Sequence, residues 1–166
     1  MRGTLVVVPT YNEAASIRTL VGRVRDAVPD ADVLIVDDAS PDGTGAIADE
    51  LAAADRGFAV LHRPAKSGLG SAYLAGFAHA REGDYRYVVE IDADGSHDPL
   101  ALPAMLALAE AQQLDLVIGS RWVPGGSVVN WAWSRRFISR TGNRYARAML
   151  GSSIRDITAG FRVYRL

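Results

Sequence analysis

Short apolar runs alternate with amphipathic segments along the first 120 residues of the chain. The runs are rich in Val, Ile and Leu and are bounded by turn-forming residues, a pattern typical of buried strands. Five strands are predicted from this pattern, at residues 4–8, 33–36, 58–61, 85–91 and 114–118.

The segments between these strands have the periodicity of helices. Residues 14–28 place five apolar side chains on one helical face, namely Ile17, Leu20, Val21, Val24 and Val28. Further helices are predicted near 44–54 and 69–80, and Asp98 as N-cap before Pro99 predicts one that ends near residue 112. The alternation predicts an α/β fold with a mostly parallel central sheet and helices on both faces.

The pattern changes after Gly119. A loop with Gly and Trp residues (122–133) is followed by a predicted helix near 134–150 and a strand-like segment near 157–164. Because no repeat or linker interrupts the chain, we interpret residues 1–166 as a single domain. The abrupt end after the strand-like segment leads us to expect that the C-terminal part is incomplete.

Composition and charge narrow the possible classes. The absence of Cys excludes a disulfide scaffold, a Cys-based zinc site and a thiol nucleophile. We expect no signal peptide, and the apolar stretch at 99–109 is too short to cross a bilayer. Residues 1–120 hold 9 basic and 18 acidic side chains, whereas residues 121–166 hold 9 Arg and only one acid, Asp156. The last third is therefore expected to face something anionic, unless it only pairs with the acidic part.

The turn after the fourth predicted strand carries the most informative residues. Asp92 and Asp94 lie one residue apart there, at the sheet edge where open α/β folds bind ligands. Two such carboxylates can hold a Mg²⁺ ion that also binds substrate phosphates. A solvated turn is the alternative that these residues alone leave open.

Two common phosphate-binding motifs are absent from the chain. The first strand is followed by Pro9-Thr10-Tyr11-Asn12-Glu13 rather than by a Gly-x-Gly-x-x-Gly turn. Lys66-Ser67-Gly68-Leu69-Gly70 lacks the order of a Walker A loop, and we interpret it as a turn into a helix. A cation at Asp92 and Asp94 would then anchor a diphosphate almost alone, and a nucleotide-sugar is the natural ligand of that kind.

The motifs at these turns resemble those of a known enzyme family. Residues 9–13, 36–44, 92–99 and 119–121 together resemble the family 2 inverting glycosyltransferases, whose GT-A fold is a Rossmann-like nucleotide-sugar-binding fold. Residues 125–143 and 156–162 are similar to the dolichyl- or polyprenyl-phosphate mannose synthases. The resemblance implies transfer of mannose from GDP-mannose to a polyprenyl phosphate with inversion. It divides the domain into a nucleotide-sugar-binding half, 1–120, and an acceptor- and membrane-facing half, 121–166.

The resemblance also implies a role for each matching position. The guanosine pocket would be lined by Pro9, Tyr11, Glu13, Val36 and Asp38. Mg²⁺ or Mn²⁺ would be bound by Asp92, Asp94 and, more weakly, Ser96, with Ala93 as a backbone contact to the nucleotide-sugar. Asp94 and Arg121 would be catalytic, with Arg121 on the phosphates, and the acceptor phosphate would be held by Arg136 and Arg140.

The arginines of the last third also suggest a membrane surface. In the predicted helix 134–150, Arg136, Arg140, Arg144 and Arg147 form a stripe beside an apolar face, as in helices that lie on lipid headgroups. The alternative is a helix packed on the sheet with solvated arginines. We expect a peripheral protein at the cytoplasmic face of the membrane, and no nucleic-acid partner, because no stacking platform or nucleic-acid module is visible.

Several alternatives stay open at this point. The sugar donor could be another nucleotide-sugar such as UDP-glucose, or the protein could bind nucleotide without turnover. Asp37 could be a turn carboxylate, Asp42 is favoured as a helix cap, and His97 is not favoured as a ligand because a helix begins beside it. No histidine has an obvious catalytic partner, and a phosphate acceptor, already anionic near pH 7, requires no tuned general base.

Overall fold

The computed structural model of the protein describes residues 2–120, 141, 149, 156 and 158–166. Six strands in this part form one sheet. They are β1 (Arg2–Thr10), β2 (Asp32–Asp37), β3 (Phe58–His62), β4 (Tyr85–Glu90), β5 (Leu116–Ile118) and β6 (Arg162–Arg165). The order across the sheet is β3-β2-β1-β4-β6-β5, in which β1 to β4 pair in parallel and β6 runs antiparallel to both neighbours. The predicted mostly parallel α/β fold is confirmed.

Four helices connect the strands in the described part. They are α1 (Ile17–Ala27), α2 (Thr44–Ala54), α3 (Leu69–Glu82) and α4 (Leu102–Ala111). A 3₁₀ turn at Pro99–Ala101 precedes α4, and the Asp98 carboxylate accepts a hydrogen bond from the Leu100 amide at 3.1 Å. Asp98 is therefore the predicted cap, although the first turn is 3₁₀ rather than α.

The helices cover both faces of the sheet, as predicted. Side chains of α1, α2 and α4 pack on one face, in a cluster that includes Val6 and Val8 of β1. Side chains of α3 pack on the opposite face with Leu5 and Val7. Because successive residues of a strand point to opposite faces, β1 is buried on both sides and reads as a continuous apolar run.

Strand β6 departs from the sequence prediction in its bounds. The strand-like segment was expected near 157–164, and the described strand is Arg162–Arg165. Just before it, the Phe161 carbonyl accepts a hydrogen bond from the Gly119 amide at 2.9 Å. Since Gly119 directly follows β5, the chain re-enters the sheet at the edge where the parallel strands end, and β6 must run antiparallel.

The loop 122–133 and most of the predicted helix 134–150 lie outside the described residues. Thr141 and Met149 are described in that range, and both are helical. Among the described residues, no helix is long and apolar enough to cross a membrane.

Candidate active site

The turns after β1, β2 and β4 meet in one cleft at the carboxyl edge of the sheet. The cleft has a volume of about 290 Å³ and is open to solvent. Seven residues predicted from the sequence line it: Pro9, Tyr11, Glu13, Asp38, Asp92, Ala93 and Asp94. Five further residues complete the described lining: Thr10, Lys66, Gly68, Leu69 and Ala72. Motifs that are far apart in the sequence therefore lie together in the lining of this cleft.

Hydrogen bonds join the turn after β1 to the turn after β2. The Glu13 amide donates to Thr44 Oγ1 at 2.9 Å, and the Ala14 amide donates to Asp42 Oδ2 at 3.1 Å. Asp42 Oδ1 also accepts from the Thr44 hydroxyl at 2.6 Å and the Thr44 amide at 3.1 Å. The hydrogen bond from the Thr44 hydroxyl is the main reason that the pKa of Asp42 is lowered. Asp42 thus binds the first amide of α2, in line with the role that the sequence favoured, although the N-cap residue itself is Gly43, which provides no side-chain hydrogen bond.

The adjacent carboxylates Asp37 and Asp38 have different roles. Asp37 is buried and accepts hydrogen bonds from Thr10 Oγ1 at 3.1 Å and from the Ser40 hydroxyl and amide at 2.5 and 3.2 Å. Asp37 is thus a turn carboxylate. Asp38 lines the cleft.

The turn between β3 and α3 adds a positive charge to the cleft. Arg63 forms an ion pair with Asp38 at 3.0 Å, and the Ser67 amide donates to Asp38 Oδ2 at 3.1 Å. The Lys66 ammonium lies 3.8 Å from the centre of the Tyr11 ring, a cation–π distance. From the sequence, Lys66 was interpreted only as part of a turn into a helix. Its position in the lining of the cleft was not predicted.

Two predicted residues lie close to the cleft without lining it. Val36 is fully buried in the sheet, opposite Pro9, and does not line the cleft. The Ser96 amide donates to Asp94 Oδ1 at 2.9 Å, in a turn that Gly95 permits with a φ of 72°. Arg121, Arg136 and Arg140 lie outside the described residues, so their placement stays a prediction.

The Asp92 carboxylate is contacted on both of its oxygens. Tyr73 Oη of α3 donates to Asp92 Oδ1 at 2.8 Å, and His97 Nε2 lies 3.4 Å from Oδ2. The His97 ring stacks on Phe161 with centroids 5.3 Å apart. A Cβ at Gly160 would lie 2.8 Å from Asp92 Oδ2. Asp92 is thus held by α3, by its own loop and by the segment that leads into β6.

A buried charged cluster lies at the end of β4, beside Asp92. Glu90 faces Arg162 at 3.8 Å and accepts a hydrogen bond from Tyr164 Oη at 3.3 Å. Burial raises the pKa of Glu90, and the Arg162 charge opposes this shift. The arginine therefore offsets a negative charge that would otherwise add to that of Asp92.

Sequence reasoning missed Lys66, Tyr73 and the contacts of His97. A signal for Tyr73 was present, because Leu69, Ala72 and Tyr73 have the i, i+3, i+4 spacing of one helical face. A helix that follows a parallel strand begins at the carboxyl edge of the sheet. The first turns of α3 were therefore expected at the same edge as Asp92.

In the described part of the chain, no three His, Cys, Asp or Glu side chains are placed to hold a metal ion by themselves. Of the four carboxylates in the described lining, those of Asp92 and Asp94 come from the same turn, while Glu13 and Asp38 come from the turns after β1 and β2. The pair Asp92 and Asp94 fits a hard divalent cation that takes its remaining ligands from water and substrate phosphates.

Comparison with known proteins assigns the family. The model of the family described as "Glycosyl transferase family 2" matches residues 5–166. The chain belongs to glycosyl transferase family 2. The resemblance found in the sequence is confirmed.

Two curated relatives of this family 2 chain have closely similar sequences. Undecaprenyl-phosphate mannosyltransferase of Micrococcus luteus is 56% identical over 161 residues, which cover 97% of this chain and 65% of that protein. Polyprenol monophosphomannose synthase of Mycolicibacterium smegmatis is 55% identical over 163 residues, which cover 98% of this chain and 61% of that protein. The chain thus spans less than two thirds of the length of both relatives.

A solved structure supports the fold assignment. Glucosyl-3-phosphoglycerate synthase of Mycobacterium tuberculosis superposes on this family 2 chain with a TM-score of 0.68 and 22% sequence identity. The match covers 99% of this chain and 57% of that one. The fold is GT-A, as the sequence predicted.

Proposed function

We propose that the protein transfers mannose from GDP-mannose to a polyprenyl phosphate, with inversion at the anomeric carbon. The observation that carries the proposal is the cleft in which the turns of β1, β2 and β4 bring Asp38, Asp92 and Asp94 together. Sequence identity above 50% to two relatives named for this chemistry supports the choice of sugar and acceptor.

In this proposal the nucleoside lies between the turns of β1 and β2. Pro9 and Tyr11 supply apolar and aromatic surface, while Glu13 and Asp38 supply carboxylates for N–H and ribose O–H donors. The hydrogen bonds between the two turns hold this surface in place before the ligand arrives. Val36 is buried beside Pro9 in the sheet and would support this surface rather than line it.

The charge of the cleft supports a divalent cation, Mg²⁺ or Mn²⁺. Its described lining includes four carboxylates, Glu13, Asp38, Asp92 and Asp94. Arg63 pairs with Asp38 and Lys66 supplies one ammonium, so the lining still carries more negative than positive charge. A diphosphate in such a cleft would be repelled unless a cation lay between the charges. When bound, that cation would neutralise charge on the departing diphosphate. Asp92 and Asp94 would hold it, with Ser96 as a weaker third partner.

In the reaction, an oxygen of the acceptor phosphate forms a bond to the anomeric carbon as the bond from that carbon to GDP breaks. Attack from the face opposite GDP converts the α-linkage to β. The acceptor carries its negative charge before attack, so the protein has to hold it rather than deprotonate it. We assign that task to Arg136 and Arg140, and contact with the donor phosphates to Arg121.

A polyprenyl acceptor requires access to a membrane. The arginine stripe of residues 136–147 supports a peripheral position on an anionic bilayer surface, at the cytoplasmic face.

The test is formation of lipid-linked sugar by the purified protein. Radiolabelled GDP-mannose or UDP-glucose is incubated with Mg²⁺ and a short polyprenyl phosphate, and label is counted in the lipid phase. Label from GDP-mannose alone supports the proposal, whereas label from UDP-glucose alone would replace the sugar. If neither donor labels the lipid while calorimetry detects GDP binding, the protein binds nucleotide without turnover.

A further inference from the structure

The two candidate metal ligands, Asp92 and Asp94, are held by different contacts. Asp94 is exposed and accepts a hydrogen bond from the Ser96 amide within its own turn. Asp92 is part-buried and is contacted by the Tyr73 side chain of α3, outside its own loop, as well as by His97 within that loop. A carboxylate that is fixed from outside its own loop can present its oxygens in one orientation.

The contact from α3 is the more rigid of the two. The Tyr73 side chain is 93% buried, since its relative exposure is 7%, and its hydroxyl lies 2.8 Å from Asp92 Oδ1. Helix α3 packs against β1, β2 and β4, so the hydroxyl is anchored to the centre of the sheet. A tyrosine hydroxyl has an ordinary pKa of about 10, so it is a proton donor in neutral solution.

The second oxygen of Asp92 has little room to move. His97 Nε2 lies 3.4 Å from Oδ2, and the ring is kept in place by stacking on Phe161. On another side, Gly160 leaves no space for a side chain. Rotation of the carboxylate would break the Tyr73 hydrogen bond and bring an oxygen against these groups.

We propose that Tyr73 is a positioning residue that fixes the Asp92 carboxylate in the orientation required to bind the divalent cation together with the donor diphosphate. The inference rests on the proposed function of the cleft. An ionised carboxylate has about four lone-pair sites, so one hydrogen bond leaves acceptor capacity for a cation. Groups that orient metal ligands in this way are typically worth about 10- to 100-fold in metal affinity.

The test uses Tyr73→Phe, which removes the hydroxyl and keeps the ring. Mn²⁺ is titrated into the full chain with saturating GDP, and free Mn²⁺ is followed by electron paramagnetic resonance. We expect Mn²⁺ affinity to fall about 10- to 100-fold, while GDP affinity without metal stays within about twofold of wild type. Transfer activity is not needed for this readout.

Tyr85 provides a matched control. Its buried hydroxyl donates to Asp32 Oδ2 at 2.6 Å, and this pair lies at the start of β4 and β2, at the opposite edge of the sheet from the cleft. Tyr85→Phe should lower the melting temperature about as much as Tyr73→Phe but leave Mn²⁺ affinity unchanged. If both variants lost the same Mn²⁺ affinity, general destabilisation of the protein would explain the loss, and the proposal would be overturned.

A double-mutant cycle makes the test specific to Asp92. In the Asp92→Asn background, Tyr73→Phe should have no further effect on Mn²⁺ affinity, because the group that it orients has lost its charge. The same fold loss in both backgrounds, or unchanged Mn²⁺ affinity in Tyr73→Phe, would overturn the role of Tyr73. Failure of the wild-type protein to bind Mn²⁺ with GDP would overturn both this inference and the metal-assisted function. Normal Mn²⁺ binding without sugar transfer would overturn the proposed function alone.

Discussion

Asp37 and Asp38 show how neighbouring identical residues acquire different roles. Asp37 ends β2 and is held by Thr10 and Ser40, so it fixes the turn, whereas Asp38 lines the cleft beside Arg63. Sequence alone could place both at the carboxyl edge of the sheet, because both follow a predicted strand. The resemblance implied a ligand role for Asp38, but the partners from other segments of the chain, Thr10 for Asp37 and Arg63 for Asp38, could not be read from the sequence.

Asp94 is the candidate metal ligand whose removal disturbs the protein least, because its side chain is exposed. Asp94→Ala should lower the metal-dependent transfer rate by at least about 100-fold, since a bound cation supplies several kcal/mol of charge stabilisation. Its thermal melting should stay close to wild type. Asp98→Asn is the control: it removes a nearby charge but keeps a good N-cap, and its rate should stay within about twofold. Unchanged turnover in Asp94→Ala would remove Asp94 from the site.

Substitution of Lys66 tests whether its positive charge offsets the carboxylates of the cleft. We expect Lys66→Met to raise the KM for GDP-mannose about tenfold, equivalent to about 1.4 kcal/mol, because the ammonium offsets the surrounding carboxylates and the donor diphosphate. Arg81→Met, which removes a positive charge near the end of α3 and outside the cleft, should leave the KM unchanged. Initial rates at varied GDP-mannose concentrations measure both. A KM that is equal in Lys66→Met and wild type would contradict the assignment.

Helix α3 contacts both the central sheet and the candidate active site. It packs against three strands, its first turns line the cleft, and Tyr73 on its buried face reaches Asp92. The strand and helix pattern predicted α1 to α4 and β1 to β5 with small shifts in their ends, because periodicity is a local property. It could not place β6 between β4 and β5, because that placement depends on pairing with strands that are distant in the sequence.

The close approach of α3 to β1 depends on Gly76. A Cβ there would lie 2.4 Å from Val7 Cγ1, so Gly76→Ala should reduce the free energy of unfolding by about 1–3 kcal/mol through overpacking. Gly22 of α1 is exposed with nothing within 4 Å of its Cβ position. Gly22→Ala should therefore be neutral or stabilising by up to about 1 kcal/mol. Urea denaturation measures both, and equal destabilisation by the two substitutions would contradict the close packing of α3.

The charges along the 166 residues are strongly segregated. Residues 1–120 carry twice as many acids as bases, and residues 121–166 carry nine arginines with a single acid. This asymmetry is visible in the sequence and supports a surface that meets anionic lipid. The mostly parallel sheet and the position of the cleft also followed from sequence, because open α/β sheets bind ligands at one edge. The roles of Arg121, Arg136 and Arg140 stay predictions.

Binding to vesicles tests the membrane-facing role. The protein should bind vesicles with anionic lipid more tightly than neutral ones, and the bound fraction should fall as ionic strength rises from about 0.1 M to 1 M, since the screening length shortens from about 10 Å to 3 Å. Arg136→Gln/Arg140→Gln should weaken binding. The matched control, Arg18→Gln/Arg23→Gln on α1, removes the same charge from a helix in the acidic part and should not. Equal binding to neutral and anionic vesicles in a flotation assay would contradict the proposal.

The hydrogen bond between Gly119 and Phe161 closes the base of the stretch 120–160. That stretch leaves the sheet and rejoins it at adjacent points, and Gly160 and Phe161 then contact Asp92 and His97. A segment with such closely spaced attachment points can be exchanged between homologues as a cassette. Chimaeras that keep residues 1–119 and 160–166 should retain the donor specificity of this chain while taking their acceptor preference from the grafted sequence.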